Sequence, residues 1–269
     1  MNQGSGGEVV VGFPGVAGTA WTGTAGETAS ADRKPGPVRG SSISVVFPAY
    51  NEEQNIEKAV RQAFEVMHQH FDEVEVIVVN DGSADDTHDI LERMKAENGN
   101  LLPIHFPRNR GYGAALCTGL YAASNELVFF SDSDLQFDLR EITRLKEWID
   151  QYDIVAGYRE HRADPFNRRM NAWGWKMFVR MMLGLKVRDI DCAFKLFRRE
   201  VFKTVQLTSV GAMVNTELLS LSVKHGMRIK EVPVSHFRRV AGTQTGAKLS
   251  VILRAFRELL AMRRRLKLA

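Results

Sequence analysis

Asp132 and Asp134, separated only by Ser133, close the stretch "LVFFSDSDLQF" from Leu127 to Phe137, directly after a run of apolar residues. Carboxylates this near each other repel and resist burial unless something positive sits between them. Either they form a solvated turn and a helix cap, or they serve a site that holds positive charge. Two other polar groups follow buried-looking runs in the same way: Asn80-Asp81 after "VEVIVV", and Gly157-Tyr158-Arg159 in "DIVAGYR".

The elements around these groups decide how they are arranged. From Ile43, "ISVVF" is a short β-branched run reaching its loop at Pro48, the pattern of a buried strand. In "NEEQNIEKAVRQAFEVMHQHF", Ile56, Val60, Ala63, Phe64, Met67 and Phe71 form a helical stripe, with Asn51 as cap and Gln54 three residues on. "VEVIVVN" is a second strand, and "DGSADDT" a loop and helix start at Asp85. "LLPIHF" is a weaker strand, "GAALCTGLYAAS" a helix of small residues, "ELVFF" a strand, "LREITRLKEWIDQ" a helix and "DIVAGY" a further strand. Fully apolar strands alternating with helices predict an α/β fold, a mostly parallel central sheet flanked by helices. Ligands in such sheets bind at the carboxyl ends of the strands, so the three polar groups should share one edge. There is no periodic repeat, no GxxxxGK[ST] loop and no GxGxxG between a strand and a helix, so P-loop and Rossmann readings lack support.

The 269 residues, 44% of them hydrophobic, suit one large domain or two small ones. A net charge of +4 and a pI near 9.1 favour an anionic partner without naming it. Cys117 and Cys192 have no metal-ligand spacing, which predicts buried thiols and a reducing, cytoplasmic setting. No window reaches the roughly 18 apolar residues of a spanning helix. Residues 1–40, rich in Gly, Ala, Thr and Ser and without the pattern of a secretory signal, are expected to be a disordered tail, 41–240 the catalytic domain and 241–269 an amphipathic helix.

"FPAYNEEQNI", "VVNDGSADDT", "RNRGYGAAL", "SDSDLQF" and "DIDCAFKLFRR", in that order, resemble the family 2 glycosyltransferases of GT-A fold. Within the family they look most like polyprenyl-phosphate sugar synthases of the dolichyl-phosphate mannose synthase and dolichyl-phosphate glucosyltransferase type. The resemblance implies transfer of one sugar from a nucleotide sugar to a lipid phosphate at the cytosolic face of a membrane, with inversion. It assigns Pro48, Tyr50, Glu52, Asp81 and Asp132 to nucleotide binding, with Asn80 where many relatives carry a second aspartate. It assigns Asp132, Asp134 and Gln136 to a metal, Mg2+ or Mn2+, which suits an all-oxygen site and neutralises the departing diphosphate.

A lipid phosphate already carries an ionised oxygen near neutral pH, so it needs cations to steer it rather than a base to deprotonate it. Arg159, Arg168 and Arg169 match the acceptor-phosphate region, and with Asp134 form the expected catalytic set; an ordinary basic face is the alternative. Asp189 and Asp191 border the expected sugar pocket or act as caps and ion pairs. Glu217 is a sugar-hydroxyl acceptor, a base or a packing residue. His236, Arg238 and Arg239 correspond to a segment that closes over donor phosphates, or else form a solvated loop.

Toward the end of the chain, Leu249, Ile252, Leu253, Phe256, Leu259 and Leu260 form one helical stripe with Arg254, Arg257 and Arg264 outside it. Such a helix can lie in a headgroup layer or dock on the protein's own core. "NAWGWKMFVRMMLG" is a second interfacial candidate. The expected partners are a nucleotide sugar, a polyprenyl phosphate, a membrane surface and a small membrane protein, with no nucleic acid. The competing readings are a family 2 enzyme elongating a glycan on a hydroxyl, with Glu217 or another carboxylate as base, and a non-catalytic nucleotide-sugar sensor.

Overall fold

The computed structural model describes residues 42–160, 182–238, 259–260 and 262–264. Arg168, Arg169, Arg239, the expected tail and most of both candidate membrane segments lie outside the described residues.

Four parallel strands form one half of the sheet: β1 (Ser42–Ala49), β2 (Glu73–Asn80), β3 (Leu101–His105) and β4 (Leu127–Ser131). The helices between them are α1 (Ile56–Met67), α2 (Thr87–Glu97) and α3 (Tyr112–Ala122). β1 and β4 are buried along nearly their whole length, as expected for strands covered on both faces. Helix α1 packs through Ile56, Ala59, Val60, Ala63, Val66 and Met67, the stripe its periodicity predicts. Small residues let α3 lie closer: a Cβ on Gly119 would stand 2.4 Å from Val46 Cγ1 of β1. After a 3-10 turn at Leu139–Glu141 and the short α4 (Ile142–Lys146) come β5 (Ile154–Arg159), β6 (Phe194–Arg198), α5 (Val201–Thr204), α6 (Val214–Lys224) and β7 (Ile229–Val234).

The seven strands are ordered β3-β2-β1-β4-β6-β5-β7. Only β6 runs antiparallel to its neighbours among the described strands. The chain leaves β1 toward β2 and β3, then returns to the other side of β1 as β4. Such a reversal opens a crevice at the carboxyl ends of the two strands, where α/β sheets hold ligands. The "PAYN" and "SDSD" segments both emerge there.

The expected Asn51 cap is corrected by the structure. Asn51 adopts φ 55°, its N–H donates to Ser83 Oγ (2.9 Å), and its Oδ1 accepts from Ala84 N (2.9 Å). It fastens the β1 loop to the β2 loop, and the helix starts at Ile56 instead. Near the other end of the chain, Leu259 and Met262 are buried in the core while Leu260 is 51% exposed, so Leu259 and Leu260 do not share a face. No helix among the described residues is long and apolar enough to cross a membrane.

Candidate active site

The loops after β1, β2 and β4 are bound to one another. Asp81 N donates to Ala49 O (2.8 Å), and Ser133 Oγ donates to Pro48 O (3.2 Å). Pro48 is buried at the end of β1, whereas Tyr50 is exposed beside it. Glu52 is buried, donating its N–H to Thr87 Oγ1 (3.0 Å) and accepting from Asn55 Nδ2 (2.8 Å). A cavity of about 310 Å³ lies between the β1 and β2 loops, lined by Asn51, Glu53, Gln54, Asn55, Ala84 and Asp85.

Asp81 accepts from the backbone N–H groups of Arg110 (2.6 Å) and Gly111 (2.9 Å), which lead into α3. Burial raises its pKa, and these two donors oppose the rise. The carboxylate therefore fixes the start of α3. That start is tight: a Cβ on Gly113 would stand 2.5 Å from Gly211 O and 2.6 Å from Ser209 O, both backbone atoms. Gly113→Ala is expected to cost about 1–3 kcal/mol by overpacking. A thermal melt indistinguishable from wild type would refute that expectation.

Asn80 does not face the crevice as a second carboxylate would. Its Oδ1 accepts from Ser83 N (3.0 Å) and its Nδ2 contacts His105 Nδ1 (3.1 Å). An amide nitrogen can only donate, so His105 is neutral, with Nδ1 accepting and Nε2–H directed to Glu92 at 3.0 Å. His88 Nδ1 lies 3.1 Å from the same His105 nitrogen. Burial, with a contribution from His88, lowers the His105 pKa below its usual 6.5. The unfolded chain thus binds the proton more readily than the folded one, and this part of the stability is lost as pH falls below 6.5. Melts of wild type and His105→Gln between about pH 7.5 and 5 should converge as the pH drops; parallel curves would exclude the effect.

At the end of β4, Tyr112 Oη donates to Asp132 Oδ1 (3.1 Å). Asp132 keeps part of its surface open, yet burial of its surroundings and the charge of Asp134 push its pKa up to about 7. Tyr112, Lys195 and Arg159 act in the opposite sense. Asp134 is buried and its Oδ1 accepts from Gln136 N (3.1 Å). Between them Leu135 takes φ 60°, costly for a bulky side chain and typical of a backbone held by its surroundings at a functional site. Gln136 and Phe237 exchange two hydrogen bonds, Phe237 N to Gln136 O and Gln136 Nε2 to Phe237 O, each 2.8 Å. His236 packs edge-on against Phe137 with ring centres 5.0 Å apart, and Arg238 is exposed. The segment expected over the donor phosphates thus lies against the "SDSDLQF" loop.

Two carboxylates that repel in a partly buried pocket are a donor set that a hard divalent cation would relieve, with water and diphosphate oxygens completing its shell. Asp132 and Asp134 fit that role, while the Gln136 side chain two residues on is turned to the Phe237 carbonyl.

Arg159 closes β5 with one edge of its guanidinium on Asp189, Nε to Oδ2 at 2.7 Å and Nη2 to Oδ1 at 2.8 Å. Its charge is engaged by this largely buried pair. Asp191 is exposed. Glu217 is buried on α6, its oxygens accepting from Thr208 N (2.9 Å), Thr208 Oγ1 (2.8 Å) and Ser209 N (2.7 Å). Sequence reasoning passed over Tyr112, which donates to Asp132, and Lys195, whose charge acts on Asp132. The signal for Lys195 was a charge inside the apolar run "CAFKLF". Both cysteines are buried and free, and burial pushes each thiol up to about 12.

This crevice at a sheet reversal, with aspartates at the carboxyl end of its central strand, defines the GT-A class of nucleotide-sugar transferase folds. The chain belongs to glycosyl transferase family 2, whose profile matches residues 44–206. It is 34% identical over 205 residues to glycosyltransferase AglD of Haloferax volcanii, a match covering 72% of this chain and 33% of that protein. This chain thus spans about a third of the length of that relative. Glucosyl-3-phosphoglycerate synthase of Mycobacterium tuberculosis has the same fold. Its complex with phosphoglyceric acid superposes with a TM-score of 0.65 at 23% identity, covering 82% of this chain and 79% of that one. Its complex with Mn2+ and UDP-glucose gives 0.63 at 24%, covering 82% and 78%.

Proposed function

We propose that the protein transfers a single sugar from a nucleotide sugar to a polyprenyl phosphate at the cytosolic face of a membrane, with inversion and with the aid of Mg2+ or Mn2+. The observation that carries this reading is the pair of partly buried carboxylates, Asp132 and Asp134, at the crevice where β1 and β4 diverge. A bound cation would neutralise charge gathering on the leaving diphosphate. Asp132 and Asp134, with Gln136, would hold it. Pro48 at the end of β1, with Tyr50, Glu52 and Asp81 in the loops after β1 and β2, would supply the nucleoside side. A protein of the same fold crystallised with Mn2+ and UDP-glucose supports the donor half of the reading.

The acceptor half rests on the motif resemblance and on Glu217. With its carboxylate held by Thr208 and Ser209, Glu217 braces the loop beside α3. A phosphate oxygen attacks without a base, so this arrangement is compatible with a phosphate acceptor. Arg159, with Asp189, frames the acceptor side; Arg168 and Arg169 add cations, Asp191 borders the sugar, and Arg238 approaches the donor phosphates. The arginine-bearing C-terminal segment attaches the protein to the membrane surface, aided by a small membrane protein.

Glu217→Gln should retain more than about a tenth of wild-type kcat, because no proton need be removed. A loss of kcat beyond a thousandfold in a protein that still melts as wild type would instead support a hydroxyl acceptor. The reading as a whole is tested with a panel of labelled nucleotide sugars, polyprenyl phosphate in detergent and Mg2+ or Mn2+. Label should enter the organic phase and should be lost with chelator. Label appearing only in water-soluble or protein-linked glycan, also when native membranes are supplied, would overturn the lipid-phosphate reading.

A further inference from the structure

The stretch "RGYG" places a glycine on each side of Tyr112, and both glycines answer to the backbone around them. Gly111 takes φ 103°, a conformation that side chains disfavour, and a Cβ on it would stand 2.5 Å from Val210 O. Gly113 lies equally close to the carbonyls of Ser209 and Gly211. Hydrogen bonds tie the same stretch from two sides. On one side Asp81 accepts from Arg110 N (2.6 Å) and Gly111 N (2.9 Å). On the other, Val210 O accepts from Gly113 N (3.0 Å) and Ala114 N (3.3 Å). The backbone at Tyr112 is thereby held on both flanks.

The side chain is fixed as well. Its ring packs edge-on against Phe130 of β4, with centres 6.5 Å apart, at the border of the core. Phe130 stands two residues before Asp132, and the Tyr112 hydroxyl donates to Asp132 Oδ1 (3.1 Å). A carboxylate turns about its own bonds unless something holds it; a hydroxyl on a fixed ring selects one orientation, engaging Oδ1 and leaving Oδ2 for a cation. We infer that "RGYG" is a rigid mount for Tyr112, whose hydroxyl holds the Asp132 carboxylate in the orientation that receives a divalent cation. Tyr112 is thus a positioning residue, and Asp81 acts at one remove by anchoring the mount. This inference rests on the reading of Asp132 and Asp134 as metal ligands. It gives a role to a glycine-rich stretch that matches no phosphate-loop pattern. It also links the loop after β2, on the nucleoside side, to the loop after β4, on the metal side, through three consecutive residues, Arg110 to Tyr112.

The test measures Mn2+ binding directly, by the EPR signal of free Mn2+ during titration of the whole protein, with and without UDP or GDP. Tyr112→Phe removes one hydroxyl and keeps the ring that packs against Phe130. It should weaken Mn2+ binding about 10- to 100-fold, the effect of losing a group that orients a metal ligand, while the melting temperature of the metal-free protein stays as in wild type. A purely structural role would show the reverse, a lowered melt with affinity unchanged. Should Tyr112→Phe melt well below wild type, Asp81→Asn decides, titrated without nucleotide so that its expected nucleoside contact plays no part: weakened Mn2+ binding supports the mount, and wild-type affinity overturns it. Wild-type Mn2+ affinity in Tyr112→Phe, with binding lost in Asp134→Ala, would overturn the mount and leave the metal site standing. Unchanged affinity in Asp134→Ala would overturn the metal reading and the mount together.

Discussion

Replacing Asp134 with alanine is expected to reduce sugar transfer about a thousandfold or more, while the metal-free protein keeps its melting temperature to within about 3 °C. The two halves of this result have separate causes. In the proposed function the carboxylate would be half of the cation site at the crevice, and without it the charge developing on the diphosphate would be left uncompensated. The metal-free fold loses little, because the Asp134 carboxylate that accepts from the backbone N–H of Gln136 is also one of the charges that raise the Asp132 pKa. Removing it relieves repulsion as it removes a hydrogen bond. Initial rates at saturating Mn2+, beside circular-dichroism melts, separate the two effects. A variant that transfers sugar at a tenth of the normal rate would sink the assignment.

The second large effect is expected at Arg159. Arg159→Met should destabilise the protein by about 3–5 kcal/mol, since it leaves the Asp189 carboxylate buried without its counter-charge. Adding Asp189→Leu should return much of that loss, because a hydrophobic pair can replace a buried ion pair at little cost. Urea denaturation of the single and double variants measures both values. If the double variant is no more stable than Arg159→Met alone, the ion pair is not the source of the destabilisation. The same pair of variants bears on catalysis: a free cation for an acceptor phosphate and a structural partner of Asp189 are different roles, and lipid-phosphate affinity in the double variant distinguishes them.

The parallel half of the sheet was legible because β1, β2 and β4 are buried on both faces and therefore read as continuous apolar runs. β6 and β7 were not. "FKLFR" has a lysine at its centre, and "IKEVPV" is half-exposed with a proline inside it, so neither carries the pattern of a buried strand. Asn51 has a capping residue's chemistry, but its side chain is drawn to Ala84, across more than thirty residues of sequence. At the site, the motif positions told where polar groups gather. They could not tell what each group touches. The buried bracing of Glu217 by Thr208 and Ser209, the grip of Asp189 on Arg159 and the orientation of Asn80 toward His105 all depend on the tertiary fold. Lys195 shows the same limit: only the structure supplies the three acceptors that make a buried ammonium tolerable.

The antiparallel placement of β6 has a consequence for how the chain is made. During synthesis β1 to β4 can assemble as soon as Ser131 has emerged, each strand pairing with one already present. The outer edge of β4 must then wait for Phe194–Arg198, which arrives only after β5 has been synthesised. Over that interval the nascent chain presents an open row of N–H and C=O groups on an apolar strand, a template for pairing with another chain. The strand that ends at the two aspartates is thus also the place where an unfinished copy of this protein is most prone to aggregate.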